Sequence, residues 1–165
     1  MHVPDHAGLH LPLPVDSDVD WEPAAGPPRP HLAPAVIAAV FAGGCAGGLA
    51  RYELTVAFPA SSTQWPWAVF AANVGGAFVL GLLLVLLLEV WPGTTLVRPL
   101  LGTGFCGGFT TMSSVVVTTD RLATTGHGAL GFAYVATTAV AGLAAAAAGL
   151  LTGRAVAIRA EAQRA

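Results

Sequence analysis

At 165 residues the chain is 55% hydrophobic and only 10% charged, against ~25% charged residues in a soluble domain, which excludes a surface turned wholly to water. The length suits one domain of packed helices. A net charge of −2, with seven scattered arginines and no lysine, excludes a basic nucleic-acid patch.

Residues 1–34 hold eight of the twelve prolines and five of the nine acidic residues. Such a stretch cannot bury enough apolar surface to offset its chain entropy, so a disordered tail is expected there. Asp5, Asp16, Asp18 and Asp20 stand where a cleaved leader needs basic and then apolar residues. The rest is expected to form a transmembrane domain over 35–153 and a short cytoplasmic tail over 154–165. Four apolar runs each reach the ~20 residues that cross a bilayer core: Pro34 to Phe58, Trp67 to Val90, Val97 to Thr119 and Gly128 to Thr152. Pro59 and Pro66, then Pro92-Gly93, then Thr124 to Gly128 punctuate them. Trp65, Trp67 and Trp91 sit at span ends, where indoles favour the headgroup level. Four spans put both termini on one side. That side carries Arg29, Arg98, Arg154, Arg159 and Arg164, against Arg51 and Arg121 on the other, so cytoplasmic termini are expected. Cys45 and Cys106 lie in apolar runs and read as small buried residues, not a disulfide pair.

The first run contains Gly43-Gly44-Cys45-Ala46-Gly47-Gly48, two interleaved GxxxG pairs that allow close helix packing in lipid. Arg51 follows at the edge of the span, where it can snorkel or form the positive mouth of an anion path. In the second run Asn73 lies inside the apolar stretch on a face with Gly76, Ala77 and Gly81. Its amide must find a partner within the protein. Two readings stay open: an interhelical hydrogen bond, or an N–H aimed at a permeating anion.

The third run is the most informative. From Gly102 to Val115 it holds four glycines and five hydroxyl residues. Glycine costs ~1 kcal/mol relative to alanine inside a helix, so the span is predicted to break near its middle. Backbone freed at that depth is tolerated only where protein, water or ions satisfy it. In the fourth run Tyr134 and Thr138 share a face one turn apart, beside Thr137, whose hydroxyl is expected to bond its own helix.

Gly43-Gly44-x-x-Gly47-Gly48-x-x-Arg51-Tyr52, Asn73-x-x-Gly76-x-Phe78 and Gly104-Phe105-Cys106-Gly107-Gly108-Phe109-Thr110-Thr111, in that order and spacing, resemble the CrcB/Fluc fluoride-specific ion channels over residues 36 to 150. The resemblance implies an all-α subunit of four transmembrane helices in the plasma membrane. It also implies a third helix broken at mid-membrane and an antiparallel dimer with two pores. It implies a structural, non-transported sodium ion on the carbonyls of Gly107 and Thr110. Asn73, Ser113, Tyr134 and Thr138 would line the fluoride path, with Arg51 near its vestibule. Where the family carries two pore phenylalanines this chain has Met112 and Val115. Where the family continues a hydroxyl track it has Gly142 and Ala146. Together with the one-sided arginine distribution, these departures point to a heterodimer with a second family member, a homodimer being the plainer arrangement.

Three other classes compete. A small proton-coupled multidrug antiporter needs a mid-membrane carboxylate, but Glu53 and Glu89 fall near span ends. An enzyme would need a nucleophile with a base, or metal ligands, inside the bilayer, and none is apparent in the runs. A non-conducting partner subunit of a heteromeric channel is the third.

Overall fold

Long apolar runs bounded by prolines and glycines decide where the helices lie. The computed structural model describes residues 34–91 and 95–163. α1 (Pro34–Ala57) opens on a proline, tolerated in a first turn because its missing N–H has no helical partner there. α2 (Trp67–Val85) starts after Pro66 and continues as a wider π-helical turn, Leu86–Val90, with the Trp91 N–H returning to the Leu86 carbonyl at 2.8 Å. The third span is made of three pieces. Arg98–Cys106 is π-helical, α3 (Gly107–Phe109) is a single turn, and α4 (Met112–Thr124) completes it. Between α3 and α4 the backbone is extended, at φ −84°, ψ 155° for Thr110 and φ −153°, ψ 123° for Thr111. α4 closes on Gly126 at φ 84°, a left-handed cap that glycine adopts without a Cβ clash. α5 (Gly128–Ala162) is the longest element. No strand occurs among the described residues. The protein is all-helical, with four helices of a length and apolarity that cross a membrane.

Span boundaries agree with the sequence pattern except at the fourth. The sequence places its end at Thr152, yet α5 runs to Ala162. Residues 154–162 therefore continue the helix. Gly153 and Ala157 are buried, and Gly153 packs on Val85 and the Leu82 carbonyl, which carries the helical face onward. At 35 residues, or roughly 52 Å, α5 exceeds a ~30 Å hydrocarbon core. Its last turns, with Arg154, Arg159 and Glu161 exposed, extend past it. Cys106 is buried as expected, but Cys45 is exposed, because it lies on the face of α1 away from the packed glycines; both are free thiols. The segment read as a tail over 1–34 lies, Pro34 excepted, outside the described residues.

Missing side chains hold the bundle together. α1 packs chiefly against Arg98–Cys106 and α3, α2 against α5, and α4 against α5. A Cβ on Gly47 would lie 2.9 Å from Phe109 N and closer still to the Phe105 carbonyl. One on Gly104 would lie 2.7 Å from the Val40 carbonyl. On the other pair, a Cβ on Gly149 would lie 2.9 Å from Leu82 N. Both helix pairs thus meet backbone to backbone, as small residues permit where lipid offers no hydrophobic drive.

The two interleaved glycine pairs of α1 are therefore not equivalent. Gly47→Ala should destabilise the protein by about 1–3 kcal/mol, as overpacking does. Gly48→Ala, which meets nothing within 4 Å, should be tolerated. Thermal unfolding in detergent distinguishes the pair, and equal midpoints would contradict this packing.

Candidate functional site

The extended pair Thr110–Thr111 is held from α2. Asn73 donates from Nδ2 to the Thr111 carbonyl at 3.0 Å and accepts the Thr111 N–H on Oδ1 at 2.7 Å. One amide thus satisfies both backbone groups of one residue. Gly76, one turn along α2, has no side chain because Thr110 occupies the space: its Cβ would overlap the Thr110 Cγ2 methyl. The Thr111 side chain then starts the next helix, accepting the Ser114 N–H at 3.2 Å as an N-cap.

These bonds release two carbonyls. In an unbroken helix the Thr111 N–H would return to the Gly107 carbonyl and the Ser114 N–H to the Thr110 carbonyl. Asn73 takes the first N–H and Thr111 Oγ1 takes the second. Gly107 is exposed and Thr110 half-buried. Both line a groove of about 360 Å³ that runs past Thr103 and Gly102 to Arg98. The donor set offered here is carbonyl oxygen, which suits a hard cation. No group of three His, Cys, Asp or Glu side chains able to hold a metal occurs among the described residues.

A second groove, of about 540 Å³, opens on the other side of Thr110. Asn73, Met112, Val115 and Thr138 line it, together with Thr111, Gly142 and Ala146. Four of the residues expected on the ion path therefore come together. Met112 is 70% exposed and Val115 2%, so Met112 projects from the groove rim while Val115 is packed into its wall. Three expected residues are placed elsewhere. Ser113 is exposed, its hydroxyl 3.1 Å from Thr111 Oγ1. Tyr134 is fully buried behind the wall with Val69 and Val115. Arg51 donates from Nε to the Gly108 carbonyl at 3.2 Å, tying α1 to the turn just before the extended pair.

The Tyr134 hydroxyl lies close to Thr138, but the two do not form a hydrogen bond of good geometry. Neither has another protein partner, and the same holds for the Trp65 indole nitrogen. An unsatisfied buried polar group costs about 1–3 kcal/mol. Sequence reasoning missed Thr111 and Trp65. The Thr111-to-Ser114 spacing of an N-cap was a legible signal for the first. Trp65 looked like an interface anchor.

Residues 38–150 match the model of the family described as CrcB-like protein, Camphor Resistance (CrcB). The chain belongs to this family. It is similar to the Fluoride-specific ion channel FluC 3 of Streptomyces avermitilis, with 49% identity over 76% of this chain and 62% of that protein. It is 45% identical to FluC 1 of Mycolicibacterium paratuberculosis over 65% of this chain and 81% of the relative. With FluC of Chlorobaculum tepidum it shares 44% identity over 64% and 83% of the two chains. The chain thus spans less than two thirds of the length of the S. avermitilis relative. Membership in this family and the four apolar helices make it a multi-pass membrane protein.

The CrcB-like chain tests its own two-way bond. Asn73→Ala strands both backbone groups of Thr111, and should cost about 1–3 kcal/mol for each group left buried. Asn73→Asp keeps the acceptor for the Thr111 N–H but turns an oxygen toward the Thr111 carbonyl, so it should also lose stability. Equal unfolding midpoints for wild type and the Ala variant would show that the bond holds nothing.

Proposed function

We propose that this protein is a subunit of a fluoride-specific channel that lets fluoride leave the cytoplasm down its electrochemical gradient. The observation that carries the reading is the 540 Å³ groove, lined by Asn73 and Thr138 together with the Thr110–Thr111 pair that Asn73 holds, in a chain whose relatives are named fluoride-specific channels. Fluoride is small and strongly hydrated, so a path must replace its water with donors. Asn73 spends one N–H on Thr111, which leaves the other for the groove. On this reading Asn73 does both: it fixes the backbone and would present a donor to the anion. An antiporter reading lacks support, since Glu53 and Glu89 are both exposed near helix ends. In a cell whose interior is negative, the membrane potential drives the anion outward at ~2.3 kcal/mol per 100 mV.

The carbonyls of Gly107 and Thr110 fit a structural sodium ion, because the two capping bonds free them from the helix ladder. Sodium would supply fixed positive charge at the extended backbone. Both grooves are open along one face, and a second subunit laid antiparallel would close them. A heterodimer is favoured by the groove itself: Gly142 and Ala146 add no hydroxyl to it, and Met112 stands at its rim. S. avermitilis carries relatives numbered both 2 and 3, so more than one family member can serve one cell.

Reconstituted in liposomes with a second family member, the protein should pass fluoride and exclude chloride, as read by ion-selective electrodes. Absence of flux in every pairing would reject the channel. Robust flux from this chain alone would reject the heterodimer only. Replacing sodium with a large organic cation should reduce flux or dimer stability. Gly107→Val should reduce them more than Thr110→Ser, and indifference to the cation on both measures would reject the sodium site.

A further inference from the structure

Three side-chain donors lie in sequence at the end of the bundle away from the termini, and none has a protein acceptor: Trp65 Nε1–H, the Tyr134 hydroxyl and the Thr138 hydroxyl. Tyr134 is fully buried and Thr138 is 9% exposed. Thr138 lines the large groove, Tyr134 lies one turn of α5 before it, and the Trp65 ring meets Tyr134 edge-on at 5.3 Å and 88°. The line therefore leads from the groove to the connection between α1 and α2. That connection sits at the far end, where the Thr125 hydroxyl after α4 reaches the Ser62 carbonyl.

Trp65 is held in place. Its ring packs on Trp67 at 5.7 Å and Phe70 at 5.8 Å, and it lies against the buried cluster of Val69, Val115 and Tyr134. The buried Pro66 follows it and limits its backbone. An indole nitrogen only donates, and a buried donor in a folded protein has an acceptor in nearly every case. An acceptor from outside the chain would complete this site.

We infer that Trp65 is a further donor of the anion path, forming with Tyr134 and Thr138 a station behind the wall of the groove that takes a small, hard, hydrogen-bond-accepting anion. The inference rests on the channel reading above and adds a residue to it. The two hydroxyls can turn either way, but the indole cannot accept, so the station favours an anion over a cation. Its donor character favours fluoride over chloride, which is larger and the weaker acceptor.

The rival arrangement points the indole N–H at the face of the Tyr134 ring, where it would only stabilise the fold. Trp65→Phe separates the two, because it keeps an aromatic ring on Tyr134 and removes the N–H. In whichever assembly conducts, Trp65→Phe should lower fluoride flux by about tenfold or more, as loss of one hydrogen bond to a charged group implies. Trp67→Phe, whose ring is 65% exposed, should conduct like wild type. Flux within a factor of about two of wild type in Trp65→Phe overturns the inference and leaves the channel intact. A second measurement does not depend on conduction. With Trp21, Trp67 and Trp91 changed to Phe, the emission of Trp65 should shift saturably with sodium fluoride and not with sodium chloride. Absence of flux in every assembly rejects the channel reading, and the titration then decides the station alone: an emission insensitive to fluoride overturns it.

Discussion

One side-chain amide makes the third span possible. A backbone that leaves its helix within an apolar segment strands donors and acceptors, and lipid offers them nothing. Asn73 meets both groups of Thr111 at once, and the Thr111 hydroxyl takes over the next N–H. The extended pair is thereby stable in a segment that would otherwise favour continuous helix. Both grooves reach that pair: the released carbonyls lie in one, and Asn73, Met112, Val115 and Thr138 line the other.

The glycine contacts serve the same end. Gly47, Gly104 and Gly108 bring α1 against the first half of the third span, and Gly76 makes room for Thr110. Arg51, bonded to the Gly108 carbonyl, adds a tie from the same side. It thus acts on the turn that precedes the extended pair. Backbone-to-backbone packing leaves little slack, so the position of Thr110 relative to α2 is set by two helices at once. The second half of the span is held separately, through α4 on α5. The interruption is therefore the junction between two packed units.

Much of this was legible beforehand because membrane spans are constrained by length and apolarity alone. Three of the four spans fall within a few residues of their expected limits. The fourth helix outruns its span because hydropathy falls at Arg154 while helical packing does not, Gly153 still facing α2 and Ala157 still buried. The motif residues also located the interruption, since glycines and hydroxyls crowd only that part of the chain. What they could not assign was the work of each side chain. Ser113 carries the right chemistry but faces outward, and Thr111, its neighbour, makes the bonds.

The sequence by itself determined that this protein lives in a membrane, that it has four apolar spans, and to which family it belongs. Those properties depend on composition, periodicity and local order, which are written along the chain. Only the tertiary structure decided that Asn73 closes on the backbone of Thr111, that Arg51 serves Gly108, and that Trp65 stands beside Tyr134 with its N–H unanswered. Each of these joins residues on different helices or connections, and hydrogen bonds are directional. Which partners meet depends on the rotation and offset of packed helices, and a one-dimensional pattern carries neither.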